Sequence, residues 1–252
     1  MAKIAVTGAA GTIGAPLCAD LSADHEVVRI DRTGVAKPVD VLDLSALEAA
    51  VAGCETVIHL AGYPNVSGSW AETRENIDGT YNAFEAARRA GCKRVIFASS
   101  NHAVGLYEVK GGPGIYEPAA GLLVRNDSPL RPDSLYGVWK VFGEALGRYY
   151  SEEYGLRVAC LRIGAIRKND SPTSDDWSKE ATWLDLTVEQ KRRRMAAVWF
   201  SQRDMARLVR AIVSSDVSFG IVYGVGDNAT RFWDLEPGRA LYGFLPLDGV
   251  KL

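Results

Sequence analysis

A chain of 252 residues that is 47% hydrophobic can bury one substantial core, and no Pro/Gly/Ser-rich stretch marks a linker, so residues 1–252 read as a single domain. A formal charge of −2 gives no electrostatic footprint for nucleic acid, and no apolar run approaches the ~20 residues that cross a bilayer. Cys18, Cys54, Cys92 and Cys160 stand singly and read as reduced structural residues, while His25, His59 and His102 do not cluster with Asp or Cys, so no metal site is expected. The chain enters a strand-like run by its third residue, leaving no room for a signal peptide, and a cytoplasmic location is the expectation.

In chain order, apolar strand-like runs at 3–6, 26–30, 56–60, 94–98 and 157–162 alternate with segments whose apolar residues recur at helical spacing, at 12–22, 72–90 and 134–154. That alternation predicts an α/β fold, a doubly wound parallel sheet of Rossmann type covered by helices, with its ligand at the C-terminal edge of the strands. The rhythm breaks after Arg162. Residues 163–190 are polar and irregular, including Lys168-Asn169-Asp170-Ser171-Pro172-Thr173, and read as an excursion over a substrate. A helix at 204–214 and a strand at 220–224 close the domain, and segments of roughly 163–200 and 225–252 are expected to form a small C-terminal substrate-covering region.

The first run leads into Thr7-Gly8-Ala9-Ala10-Gly11-Thr12-Ile13-Gly14, and the second ends on Asp31. A strand that turns through glycines into a helix leaves backbone N–H groups unpaired at the helix start, where they and the helix dipole attract a pyrophosphate. An acidic residue about twenty positions on can accept hydrogen bonds from both hydroxyls of an adenosine ribose. Together these predict a dinucleotide, with NAD favoured. Arg32 is a residue that could meet a 2′-phosphate, but Asp31 beside it would repel one.

Tyr136 and Lys140 lie four apart, hence on one helix face, and an ammonium there is expected to draw the phenol's pKa toward neutrality and make it a base for an alcohol. Ser100 follows the apolar run at 94–98 and is placed at a strand tip, where it can hydrogen-bond the oxygen that Tyr136 deprotonates. Tyr136, Lys140 and Ser100 on one edge of a nicotinamide cofactor constitute a hydride-transfer site.

With Gly8, Gly11, Gly14, Asp31, Asp43, His59-Leu60-Ala61-Gly62, Asn76, Ser100, Tyr136 and Lys140 in these positions, the chain resembles the extended short-chain dehydrogenase/reductase family, which includes the NAD-dependent epimerases and dehydratases. The segments Ser99-Ser100-Asn101-His102-Ala103-Val104-Gly105, Leu135-Tyr136-Gly137-Val138 and Trp199-Phe200-Ser201 are similar to those of a subgroup that oxidises hexuronates or glucose 6-phosphate at the anomeric carbon to a lactone, using NAD. The resemblance implies that Gly8, Gly11, Thr12, Ile13 and Gly14 hold the pyrophosphate, Asp31 and Arg32 the adenosine ribose, Asp43 and Leu44 the adenine, and Leu60, Ala61, Gly62 and Asn76 the region near the nicotinamide ribose. It implies Tyr136 as base, Lys140 on the ribose, and Ser100, Asn101 and His102 on the sugar hydroxyls.

The same resemblance implies a homo-oligomer and a small anionic sugar, gripped by Arg194, five residues before Trp199, and by Arg74. Against this, Lys191-Arg192-Arg193-Arg194 is also what a solvated basic helix face looks like, and Arg74 also fits a surface charge. Pro64 and Ala165 stand where the uronate enzymes carry serines, and Trp139 where a small residue is usual, so hexuronate and hexose phosphate remain equal alternatives. A nucleotide-sugar epimerase would use the same Tyr, Lys and Ser but needs a larger lobe after Gly164. A non-enzymatic NAD(H) sensor would have no need of both Tyr136 and Lys140.

Overall fold

The computed structural model describes residues 1–117, 121–172 and 186–251. Six strands, β1 (Lys3–Thr7), β2 (Glu26–Ile30), β3 (Thr56–His59), β4 (Arg94–Ser100), β5 (Arg157–Ile163) and β6 (Phe219–Gly224), form one sheet in the order β2-β1-β3-β4-β5-β6. Every neighbouring pair is parallel. The chain steps outward from β1 to β2 and then returns across β1 to β3, so the order reverses between β1 and β3; a crevice opens at the strands' C-terminal ends at such a point. Every residue of β3 and β4 is buried, as expected for central parallel strands covered on both faces.

Side chains alternate across the sheet. Ile4 and Val6 point into a core shared with α1 (Gly14–Leu21) and α7 (Gln202–Val213), while Ala5 between them faces a second core with α2 (Leu44–Val51), α3 (Trp70–Arg89) and α5 (Leu135–Tyr154). Helix α3 starts at a capping box in which Ser69 and Glu72 bond each other's backbone, and α5 starts where the Ser134 hydroxyl accepts from Gly137 N. Helix α5 lies unusually close to β4. A Cβ at Gly143 would stand 2.2 Å from the Phe97 ring, so only glycine permits this approach, which brings the N-terminal turn of α5 to the sheet edge. A buried ion pair fixes the same helix to β5: both guanidinium contacts from Arg162 to Glu144 are 2.9 Å long.

A third core holds the C-terminal part against the far end of the sheet. It combines α4 (Leu106–Gly111) and the 3₁₀ turn before it with α6 (Val188–Val198) and the adjoining rings of Phe232 and Trp233, tilted by 42° with centroids 4.2 Å apart. A last helix, α8 (Glu236–Tyr242), packs on β6.

Helices α2, α4, α6 and α8 have no counterpart in the sequence expectation. Helix α2 spans only eight residues, too few for the periodicity to register, although Leu47 and Val51 are fully buried. Helix α6 begins inside the stretch read as irregular; its run of basic residues masks an apolar end at Met195 and Val198, yet Thr187 and Gln190 form a capping box that marks its start. The central part of the expected excursion, 173–185, lies outside the described residues. From residue 225 onward, no described residue lines the cavity treated below, so the structure gives that segment a packing role in the third core.

His59, at the end of β3, has the buried environment that favours a neutral ring. Its Nδ1 lies 2.8 Å from the Thr7 hydroxyl, and desolvation, with a smaller push from Lys140, drives its pKa from 6.5 down to about 3. The unfolded chain therefore binds one more proton than the native protein between pH 3 and 6.5, and this group's contribution to stability is complete above pH 6.5 and lost as pH falls through that window. Urea midpoints measured at pH 7, 5.5 and 4.5 should show the wild type losing up to about 1.4 kcal/mol per pH unit more than His59→Gln. Parallel losses in the two proteins would contradict the assignment.

Candidate active site

A cavity of about 610 Å³ opens at the C-terminal ends of β1, β3, β4 and β5. At one end the turn after β1 wraps it. Gly8 adopts φ +71°, and Gly14 packs so tightly under the turn that a Cβ would stand 2.1 Å from the Gly8 carbonyl oxygen. Gly8, Gly11, Thr12, Ile13 and Gly14 all line the cavity, at the start of α1. The Asp31 carboxylate is fixed beside them, accepting from Ala10 N at 3.0 Å and from Arg32 N at 2.7 Å, and both Asp31 and Arg32 line the wall. A glycine cradle at a helix start, with a carboxylate at the tip of the next strand, is the donor set that a dinucleotide needs, and the residues present fit NAD.

The expected adenine contacts fall elsewhere. Asp43 caps α2, its carboxylate accepting from Ala46 N at 2.9 Å, and neither Asp43 nor Leu44 lines the cavity. That wall is built three residues earlier, by Val39, Asp40, Val41 and Leu42. Of the two aspartates in Asp40-Val41-Leu42-Asp43, Asp40 lines the cavity and Asp43 caps the helix.

Midway along, Leu60, Ala61 and Gly62 line the cavity as expected. Asn76 borders it too, but its side chain is committed to the loop: Oδ1 accepts from Tyr63 N at 2.8 Å and Nδ2 donates to Tyr63 O at 3.1 Å. It braces the turn after β3.

At the other end, Ser100, Tyr136 and Lys140 line one wall together. The end of β4 supplies the serine, and the first turns of α5, brought in by Gly143, supply the other two. Burial pushes the Tyr136 phenol up to about 12, the hydrogen bond with Ser100 opposing and the Asp133 carboxylate adding to it. This departs from the expected shift toward neutrality. Lys140 Nζ donates to the Ala98 carbonyl at 2.6 Å and sits 3.4 Å from the centre of a Trp139 ring, against 5.3 Å from that of Tyr136. Burial also holds the amine well below its ordinary range, which weakens the positive field it offers the phenol.

Asn101 and His102 lie just behind this wall. The Ser100 hydroxyl donates to Asn101 Oδ1 at 3.2 Å and accepts from His102 N at 3.2 Å. The His102 ring stands edge-on to Tyr136, 5.6 Å between centroids, and its Nδ1 pairs with the buried Asp133 carboxylate at 2.7 Å. Neither Asn101 nor His102 is among the residues lining the cavity; both bond Ser100, and the His102 ring also packs against Tyr136.

Neither of the two arginines assigned to the sugar's anion is among the described residues lining the cavity. Arg74 is exposed on α3, off the cavity, and Arg194 is held by the buried Glu108 at 2.8 Å. Tyr63 and Glu75, which no motif in the sequence marks, are both on the cavity wall. Trp139 lies there as well, hydrogen-bonded through its indole N–H to Thr80 at 2.7 Å. Among the described residues no group of three His, Cys, Asp or Glu could hold a metal ion, and no helix is long and apolar enough to cross a membrane.

Comparison with known proteins agrees with this architecture. The model of the NAD dependent epimerase/dehydratase family matches residues 4–166. An L-arabinose 1-dehydrogenase (NAD(P)(+)) of Haloferax volcanii is 37% identical over 98% of this chain and 97% of its own, and an NAD-dependent glucose-6-phosphate dehydrogenase of the same organism is 32% identical over 97% and 93%. A mutant of uronate dehydrogenase from Agrobacterium tumefaciens, complexed with NAD, superimposes with a TM-score of 0.79 at 31% identity, covering 98% of this chain and 85% of that one. The glycine cradle, the parallel sheet and these matches together make the chain a member of the NAD dependent epimerase/dehydratase family, with NAD as its cofactor.

Proposed function

We propose that this protein is an NAD-dependent sugar dehydrogenase that oxidises the C1 hydroxyl of a ring-form aldose to the lactone, with Tyr136 as the base. The observation that carries this is the convergence of Ser100, Tyr136 and Lys140 on one wall of a cavity whose other end is the dinucleotide cradle. The named relatives act on L-arabinose, glucose 6-phosphate and uronate, sugars that all carry an anomeric hydroxyl.

Gly8, Gly11, Thr12, Ile13 and Gly14 hold the pyrophosphate, Asp31 the adenosine ribose, and Leu60 to Gly62 the far ribose. NAD bound there supplies the hydride acceptor. The Ser100 hydroxyl, oriented by Asn101 and His102 N, fixes the sugar's O1. Tyr136 Oη takes the O1 proton as C1 releases its hydrogen with the bonding pair, leaving a C1–O double bond in the product. Holding these atoms at contact distance supplies a large part of the rate. Because the phenol's pKa is about 12, the fraction present as base grows about tenfold per pH unit below it, and kcat is expected to rise from pH 7 to pH 10.

NADH formation followed by absorbance, with purified protein, NAD and a panel of aldoses, tests the reading; no turnover of any aldose by protein that binds NAD would overturn it. Asp31→Ala should lower the preference for NAD over NADP by at least about tenfold, because the carboxylate both bonds the ribose hydroxyls and repels a 2′-phosphate. An unchanged ratio of kcat/KM values for the two cofactors would contradict that role.

A further inference from the structure

We propose that the sugar oxidised at this site is an uncharged aldose, and that Glu108 sets this specificity by holding Arg194 away from the cavity; the proposal rests on the C1 dehydrogenase reading above. Glu108 on α4 and Arg194 on α6 are 86 residues apart in sequence, yet Oε1 and Nε meet at 2.8 Å. Glu108 is fully buried, and the Arg194 side chain is 15% exposed. The same Oε1 also accepts from the Tyr116 hydroxyl at 2.8 Å, so two donors from separate elements hold the carboxylate. Turning Arg194 toward a substrate anion would strand Glu108 as a buried carboxylate without its counter-charge, which a folded protein strongly resists.

The cavity wall itself points the same way. Among its described lining residues the cations are Arg32, beside Asp31 in the adenosine half, and Lys140. Lys140 is engaged with the Ala98 carbonyl and the Trp139 ring. Arg74 is exposed and off the cavity, whereas its neighbour Glu75 lines it together with Pro64 and Asn76. Among the described lining residues outside the adenosine half, a carboxylate or phosphate on the sugar would find a glutamate and no guanidinium. Tyr63, Ser100 and Tyr136 also line the cavity, and each carries a hydroxyl, a group that donates to and accepts from a neutral polyol.

The test is kcat/KM with NAD for D-glucose, D-galactose and L-arabinose against D-glucuronate, D-galacturonate and glucose 6-phosphate. The best neutral sugar should exceed the best anionic one by at least about tenfold. Any smaller ratio, or the reverse order, overturns the proposal and leaves the dehydrogenase reading standing; turnover of none of the six overturns both. Glu108→Gln keeps the shape and the Tyr116 hydrogen bond while removing the counter-charge. It should raise the uronate-to-neutral ratio by about tenfold or more, with kcat/KM for the neutral sugar within about threefold of wild type. A folded variant with an unchanged ratio would remove Glu108 from the account. The wild-type panel decides the substrate class even where the variant does not fold.

Discussion

Tyr136→Phe is expected to lower kcat by about 10³-fold, inside the 10²–10⁴ range of a positioned general base, while the Kd for NAD stays within about twofold of wild type. Phenylalanine keeps the ring and its edge contacts with Trp139 and His102, whose centroids lie 5.4 and 5.6 Å away, so the packing of α5 should survive. What is lost is the oxygen that Ser100 hydrogen-bonds and that accepts the O1 proton. The rise of kcat with pH should vanish with it, a signature that a merely structural defect would not give. Retention of more than a tenth of wild-type kcat, or an unchanged pH profile, would remove Tyr136 from the role of base.

Glu144→Ala is expected to cost about 3–5 kcal/mol of stability. Arg162, 1% exposed, would lose both of its contacts to the carboxylate and remain as a buried cation with only the Tyr223 hydroxyl beside it, and the Ser99 hydroxyl would lose its 2.6 Å acceptor. These bonds tie α5 to β4 and β5, the elements that carry Tyr136, Lys140 and Ser100, so KM for the sugar should rise in whatever protein remains folded. Urea unfolding at pH 7 measures the effect, and a loss below about 1 kcal/mol would contradict it. Replacing both partners, Glu144→Leu with Arg162→Met, should recover most of the stability because no buried charge is left alone.

Much of the site was legible because its parts are local motifs. The cradle from Gly8 to Gly14, Asp31 at the next strand tip, and the Tyr136 and Lys140 pair are all set by short spacings, and the alternation of runs was enough for the parallel sheet. Contacts across long separations were not legible. Nothing near Arg194 in sequence announces Glu108, and the same holds for His102 and Asp133, which pair 31 residues apart. Asp43 is assigned to the adenine by resemblance alone, and the cap that its carboxylate forms on α2, with Asp40 lining the cavity instead, has no signature in that resemblance. The phenol's pKa went the opposite way from expectation because the i, i+4 spacing shows a neighbouring amine but not the burial that raises one group and lowers the other.

Oxidation at the anomeric carbon is decided by where the hydrogen leaves the sugar. An aldose labelled with deuterium at C1, incubated with the enzyme and NAD and followed by NMR, should yield NADH carrying the deuterium on the nicotinamide ring, with the sugar recovered as lactone or its hydrolysis product. NADH formed without deuterium, the label staying at C1 of the sugar, would contradict oxidation at the anomeric carbon and place the chemistry elsewhere on the ring.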